Sequence, residues 1–135
     1  GIGSLALGIG LAAMDEATKY SLERSQFGAK IADFQAIQWK IADMYTALEA
    51  GRLLLLNAAF KKEQGRFFSK EASMAKVFTT EAANKACYEA MQIFGGAAYL
   101  RGNLVERMYR EVKVMAIGGG SEEIMRDLAV RQMGL

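Results

Sequence analysis

No proline interrupts the 135 residues of this chain, and that absence removes the commonest device for breaking a helix. The residues that remain push the same way. Ala, Leu, Met, Glu and Lys are abundant and β-branched runs are few, so helix is favoured over strand along most of the sequence. With 52% hydrophobic and 24% charged residues, the length suits one domain around one core. The expected fold is all-α, an up-and-down helical bundle formed by 1–135 as a single helical domain.

Apolar spacing divides the chain into segments. The first, from about Leu5 to Arg24, sets Leu7, Leu11, Met14, Ala17 and Leu22 near one side, with Asp15, Glu16, Lys19 and Glu23 mostly opposite and Gly28 as a stop. The second, Asp33 to Lys62, repeats Phe34, Ile37, Ile41, Met44 and Leu48 at spacings of three and four, the pattern of a bundle seam. A turn belongs near Gly65. The third runs from Ser69 to about Phe94 and is rich in alanine, which lets a neighbouring helix approach closely. A short helix over Leu104–Val114, a GGG run at 118–120 and a last helix opening at Ser121 complete the chain. Trp39, Met44, Met91 and Phe94 are expected in the core.

Composition excludes several functions. The formal charge of +2 is small and the cations are interspersed with acids, so no nucleic-acid surface is marked. With one cysteine, Cys87, and no histidine, an internal disulfide, the usual zinc sites and imidazole mechanisms are ruled out. The opening GIGSLALGIGLAAM lacks a basic n-region and a cleavage pattern and is too short to span a bilayer, so no membrane partner is expected. It reads as a core helix entered part-way, which predicts that the chain was cut from a longer one.

Three motifs admit both a bland and a functional reading. GGGSEEI can offer backbone N–H groups at a helix N-terminus to a polar ligand, or be a turn with Ser121 as N-cap and two glutamates complementing the helix dipole. QIFGG, residues 92–96, can be a glycine helix cap. Arg24, in RSQFG, can simply neutralise a helix C-terminus. Glu16, Glu122 and Glu123 are available as bases, but no spacing demands acid–base chemistry.

Taken in order, four signatures say more: Y-x-x-x-R-x-x-F-G over 20–28 with Phe34-Gln35 following, Q-I-F-G-G over 92–96, V-E-R-x-Y-R over 105–110, and I-x-x-G-S-x-E-I over 117–124. In this respect the chain resembles the C-terminal domain of the acyl-CoA dehydrogenase family over essentially its whole length. The resemblance implies a three-domain flavoenzyme that takes a proton from the α-carbon of an acyl-CoA with a glutamate while hydride passes from the β-carbon to FAD. The product is the trans-2-enoyl-CoA, and electrons go on to an electron-transfer flavoprotein. It also implies a homo-oligomer, dimer or tetramer, in the bacterial cytoplasm or mitochondrial matrix, not secreted.

Carried over residue by residue, Arg24, Gln26 and Phe27 match positions that reach the FAD of a neighbouring subunit, and Phe34 and Gln35 fall at another FAD contact. Gln92 to Gly96, Gly95 and Gly96 above all, match the segment along the adenosine end of a partner's FAD. Ser121 and Glu123 match positions facing FAD, while Gly119 and Gly120 stand beside the substrate. One departure is informative. Many members carry the base in a Tyr-Glu-Gly-Thr stretch, and here that place reads Gly118, Gly119, Gly120, Ser121. No residue of this chain is therefore assigned as catalytic. In the isovaleryl-CoA and long-chain branches the glutamate sits at the start of the first helix of this domain, which aligns two or three residues before Gly1. A register shift to Glu122 is disfavoured because Ile117 and Ile124 fit without a gap. Two alternatives stay open: a member that keeps flavin or acyl-CoA binding without dehydrogenation, and a stand-alone helical binding or assembly module.

Overall fold

The structure, a computed structural model, describes residues 1–134; Leu135, the last residue of the expected domain, lies outside them. Five α-helices follow in chain order: α1 (Ile2–Glu23), α2 (Gln35–Glu63), α3 (Ser69–Phe94), α4 (Leu104–Ile117) and α5 (Glu122–Arg131). The all-α bundle is as expected. Lysine 40 on α2 pairs with Glu89 on α3, and Gly51 lies against Thr79, so α2 runs antiparallel to α3. Gly3 faces Thr79, Gly10 faces Ala83 and Tyr20 stacks on Phe94, so α1 runs parallel to α3. The up-and-down order follows. Helix α3 is central, packed by all four others.

The α1–α3 interface corrects the expected face of the first helix. Leu7 and Ala17 are buried as expected and Met14 packs on the core, but Leu11 and Leu22 are exposed, and the rest of the buried stripe is small: Gly3, Ala6, Gly10, Ala13 and Ser21. It packs on α3, with Gly3 against Thr79 and Lys76 and Gly10 against Ala83, while the buried residues of α3 include Ala75, Ala82, Ala83, Ala86 and Ala90. Small residues on both sides bring the backbones together: a Cβ on Gly10 would lie 3.1 Å from Ala83 Cα. Large apolar residues matched a hydrophobicity pattern, but only small ones fit so close an approach. On α2 the seam narrows to Met44 and Leu48, with Ile37 and Ile41 half-buried. Full burial of Leu48 contributes roughly 1.5–3 kcal/mol. Trp39, expected in the core, is instead 61% exposed along the groove between α2 and α3, while Met91 and Phe94 do pack on the core.

Gly28 does not stop α1. The helix ends at Glu23 with Arg24 as C-cap, and Gly28 instead closes a small hairpin in which Ser25–Gln26 pairs antiparallel with Ala29–Lys30. A 3-10 turn, Ile31–Asp33, leads into α2. Gly65 carries φ +65 in the α2–α3 turn, and Gly95 ends α3 with φ +60. None of the described helices is long and apolar enough to cross a membrane.

Candidate functional site

The sequence-predicted residues gather at the two ends of α3. At one end, the hairpin joins Phe27 and Gly28 in a two-residue turn, with both residues at positive φ (+54 and +81). That is the conformation a tight hairpin requires. The hairpin is tied to α1 by Ile31 N–H donating to Arg24 O at 2.9 Å and Lys30 Nζ donating to Glu23 O at 2.9 Å. Phe27 is 96% exposed and meets the half-exposed Phe34 ring edge-on at 6.4 Å. Arg24, Gln26 and Gln35 are exposed beside it. Tyr20 stacking on Phe94 at 4.2 Å sets the C-terminus of α3 against the end of α1, which brings Gln92, Gly95 and Gly96 to the same end, all exposed. Asn103 fixes the following turn, accepting from Val105 N at 2.8 Å and donating to Ala97 O at 3.3 Å.

The other end holds the glycine run. Gly119 and Gly120 have φ +69 and +106, a region that L side chains avoid. A Cβ on Gly119 would lie 3.0 Å from Ile2 Cγ1, so the first turn of α1 lies against the loop. Ser121 caps α5, its Oγ accepting from Ile124 N–H at 3.4 Å. The Glu123 carboxyl is held below the usual carboxylate range by its own backbone N–H and by the Ser121 hydroxyl. From beneath, Lys76 Nζ donates to Ala116 O at 2.9 Å and Gly120 O at 2.6 Å. Burial pushes the Lys76 ammonium down, and the charges of Glu122 and Glu123 pull it back up. A cleft of about 540 Å³ opens beside this end, with Ile2, Ser73, Lys76 and Met125 in its wall. The groove of about 320 Å³ between α2 and α3, lined by Trp39, Met44 and Lys85 among others, contains none of the predicted site residues.

Sixteen residues of α3 separate Lys76 from Gln92, or about 24 Å at the helical rise per residue. The predicted residues are thus two clusters, Arg24 to Gln35 with Gln92 to Gly96, and Gly119 to Glu123. Sequence reasoning missed Ile2 and Lys76. A lysine in line with Ser73, Thr79 and Thr80 on the alanine-rich face of α3 was the available signal for the second.

A bundle in which α1 lies flush on a central α3, with an exposed hairpin at one end and a glycine loop at the other, has close counterparts. The acyl-CoA dehydrogenase C-terminal domain profile matches residues 1–134, and the chain belongs to that family. A probable acyl-CoA dehydrogenase of Bacillus subtilis, YngJ, is 47% identical over 132 residues, covering 98% of this chain and 35% of the relative. Among solved structures, the butyryl-CoA dehydrogenase of Megasphaera elsdenii superposes with a TM-score of 0.97 at 36% identity, over 99% of this chain and 35% of that one. An FAD complex of PigA superposes with a TM-score of 0.94 at 30% identity, over 98% of this chain and 35% of that one. The chain spans about a third of the length of the relatives it matches.

Proposed function

We propose that this chain is the C-terminal helical domain of a three-domain, FAD-dependent acyl-CoA dehydrogenase, which converts an acyl-CoA thioester to the trans-2-enoyl-CoA and passes electrons to an electron-transfer flavoprotein. The observation that carries this reading is the meeting of Ile2 with Gly119. Where many members place their base, this chain has a glycine, and the first turn of α1 fills the space beside it. Residues three and four apart share a helix face. A glutamate two or three residues before Gly1 would stand three or four before Ile2, on the face that meets the loop. The two base positions of the family then lead to one spot, and the glycine leaves it open to the upstream acid.

The residues present suit FAD. At Gly95 and Gly96 nothing lies within 4 Å of an added Cβ, so the backbone there is open to close approach. Arg24 offers an exposed guanidinium for phosphate, and Phe27 an exposed ring. Neither burial nor backbone preference accounts for a phenylalanine that is 96% exposed at positive φ; a surface completed by another molecule does. With about 24 Å between the ends, Arg24, Gln26, Phe27, Phe34, Gln35, Gln92, Gly95 and Gly96 serve the FAD of a second copy. Ser121 and Glu123 serve the FAD of their own, with Gly119 and Gly120 beside acyl-CoA. FAD, when bound, supplies the hydride acceptor. The chain's own part is to orient, exclude water and join copies into a homo-oligomer, in the bacterial cytoplasm or the mitochondrial matrix.

The full-length protein is expected to purify yellow and to bleach when a medium or long acyl-CoA is added without oxygen. Bound FAD that no acyl-CoA bleaches, branched ones included, would support instead a member without dehydrogenation, the reading that an absent acid at Gly119 otherwise favours. Arg24→Ala is expected to weaken FAD retention roughly tenfold, the worth of one charge-assisted hydrogen bond. Unchanged flavin content would remove Arg24 from the site.

A further inference from the structure

Lys76 is the one charged side chain buried among the described residues, 7% exposed. Its ammonium bridges two carbonyls that the helices leave without partners. Ala116 lies in the last turn of α4, where unpaired carbonyls and the helix dipole favour a cation. Gly120 follows two glycines in a run with more conformational freedom than any other tripeptide of the chain. The backbone that carries the lysine is itself held in place. The hydroxyls of Thr79 and Thr80 donate to its own carbonyl at 3.2 and 3.0 Å, and α1 passes so close that a Cβ on Gly3 would lie 3.6 Å from Lys76 Cα. Burying an ammonium opposes folding, and an apolar chain of similar length would fill the same space without that cost. Stability alone therefore does not account for a lysine here.

What the lysine provides is direction. Because a peptide unit is planar, fixing Gly120 O fixes the plane of the Gly120–Ser121 peptide and with it the entry to α5. Ile2 and Met125 pack against the run without directing a peptide, and the other backbone hydrogen bonds act at its edges: Gly118 N–H donates to Val114 O at 2.7 Å, and Ser121 O accepts from Met125 N–H at 2.9 Å. We propose that Lys76 is a positioning residue, its buried ammonium holding the carbonyls of Ala116 and Gly120 so that the loop over 118–121 keeps one conformation beside acyl-CoA and flavin. The inference rests on the dehydrogenase reading above for what the loop faces, but not for what holds it.

The test compares Lys76→Met and Lys76→Arg with the parent in the full-length flavoprotein, reading helical content, flavin content, amide hydrogen exchange and flavin reduction by saturating acyl-CoA. In Lys76→Met, exchange over 117–121 is expected to quicken roughly tenfold while the rest of the bundle keeps its protection. The reduction rate is expected to fall on the order of 10²-fold, with acyl-CoA affinity changed by less than about threefold. Lys76→Arg, which keeps charge and donors, is expected to restore the exchange pattern and part of the rate. A Lys76→Met protein with parental exchange in the loop, or with faster exchange and a parental rate, overturns the proposal. Should that variant not fold, Lys76→Gln, a neutral donor too short for both carbonyls, carries the same comparison. If the parent is reduced by no acyl-CoA, the dehydrogenase reading fails, and the exchange comparison decides whether Lys76 holds the loop.

Discussion

At the hairpin end of the bundle, Cβ atoms added at Gly28, Gly95 or Gly96 would meet open space, whereas at the loop end one at Gly3 would come within 2.7 Å of Thr79 Oγ1 and one at Gly120 within 2.5 Å of Met125 Cε. Exposure follows the same division. Arg24, Gln26, Phe27, Gln35 and Gln92 lie on the surface, while Lys76 is buried beneath the glycine run. The difference teaches where fold and function can be separated. Side chains at the hairpin end can change what the surface binds with little effect on the core. At the loop end the residues proposed to face acyl-CoA rest directly on the packing of α1 and α3, so a change there alters both.

The largest effect is expected where α1 is pressed against α3. Gly3→Val would force a β-branched side chain onto Thr79, whose hydroxyl is committed to Ala75 O at 2.7 Å and cannot swing aside freely. A loss of about 3 kcal/mol is expected, the range of overpacked interiors, read from the urea midpoint of far-UV circular dichroism. Gly96→Ala, at the hairpin end, has no neighbour to displace and is expected to stay within about 0.5 kcal/mol of the parent. Equal costs for the two would erase the distinction between the ends.

Next in size is Gly119→Glu, which places an acid where the proposed reading puts the base of many family members. The backbone at φ +69 costs a non-glycine residue roughly 1–2 kcal/mol, and Ile2 must give way before the Cβ fits. A net loss of about 2 kcal/mol is expected. If the proposed upstream base is removed from the full-length protein, this glutamate is expected to leave flavin reduction at least roughly tenfold below the parent, because the first turn of α1 stands where the carboxylate must pass. Parental stability together with a parental rate would show that the loop accepts either base equally.

How far these ends could be read from sequence depends on what sets each one. The helices were legible because their apolar periods and the glycines at 65 and 95 act locally. Ser121 as N-cap of α5 was legible for the same reason. The buried stripe of α1 was legible only at Leu7 and Ala17: periodicity weights Leu11 and Leu22 above Gly3 and Gly10, yet the interface selects for smallness, which shows only when the partner helix is known. The hairpin was hidden because Phe27 at positive φ breaks the local preference that would have announced a two-residue turn. Family motifs located the candidate residues, but their division into two clusters follows from the length of α3 alone. Lys76 escaped notice because a lysine in a helix is ordinarily solvated, and its carbonyl partners lie 40 and 44 residues away.

The smallest effect tests the hairpin end most directly. Asn followed by glycine is the preferred pair for a turn with both residues at positive φ, so Phe27→Asn relieves backbone strain. The ring meets Phe34 edge-on, but at 96% exposure it covers almost nothing, and the relief of roughly 1 kcal/mol outweighs what that pair contributes. A gain of about 0.5 kcal/mol is expected for the chain, together with lower FAD retention in the full-length protein. The opposite signs matter more than their size, since a residue kept for the fold would lose stability when replaced. If Phe27→Asn destabilises the chain by more than about 1 kcal/mol, the ring belongs to the fold. The hairpin end would then be no freer than the loop end.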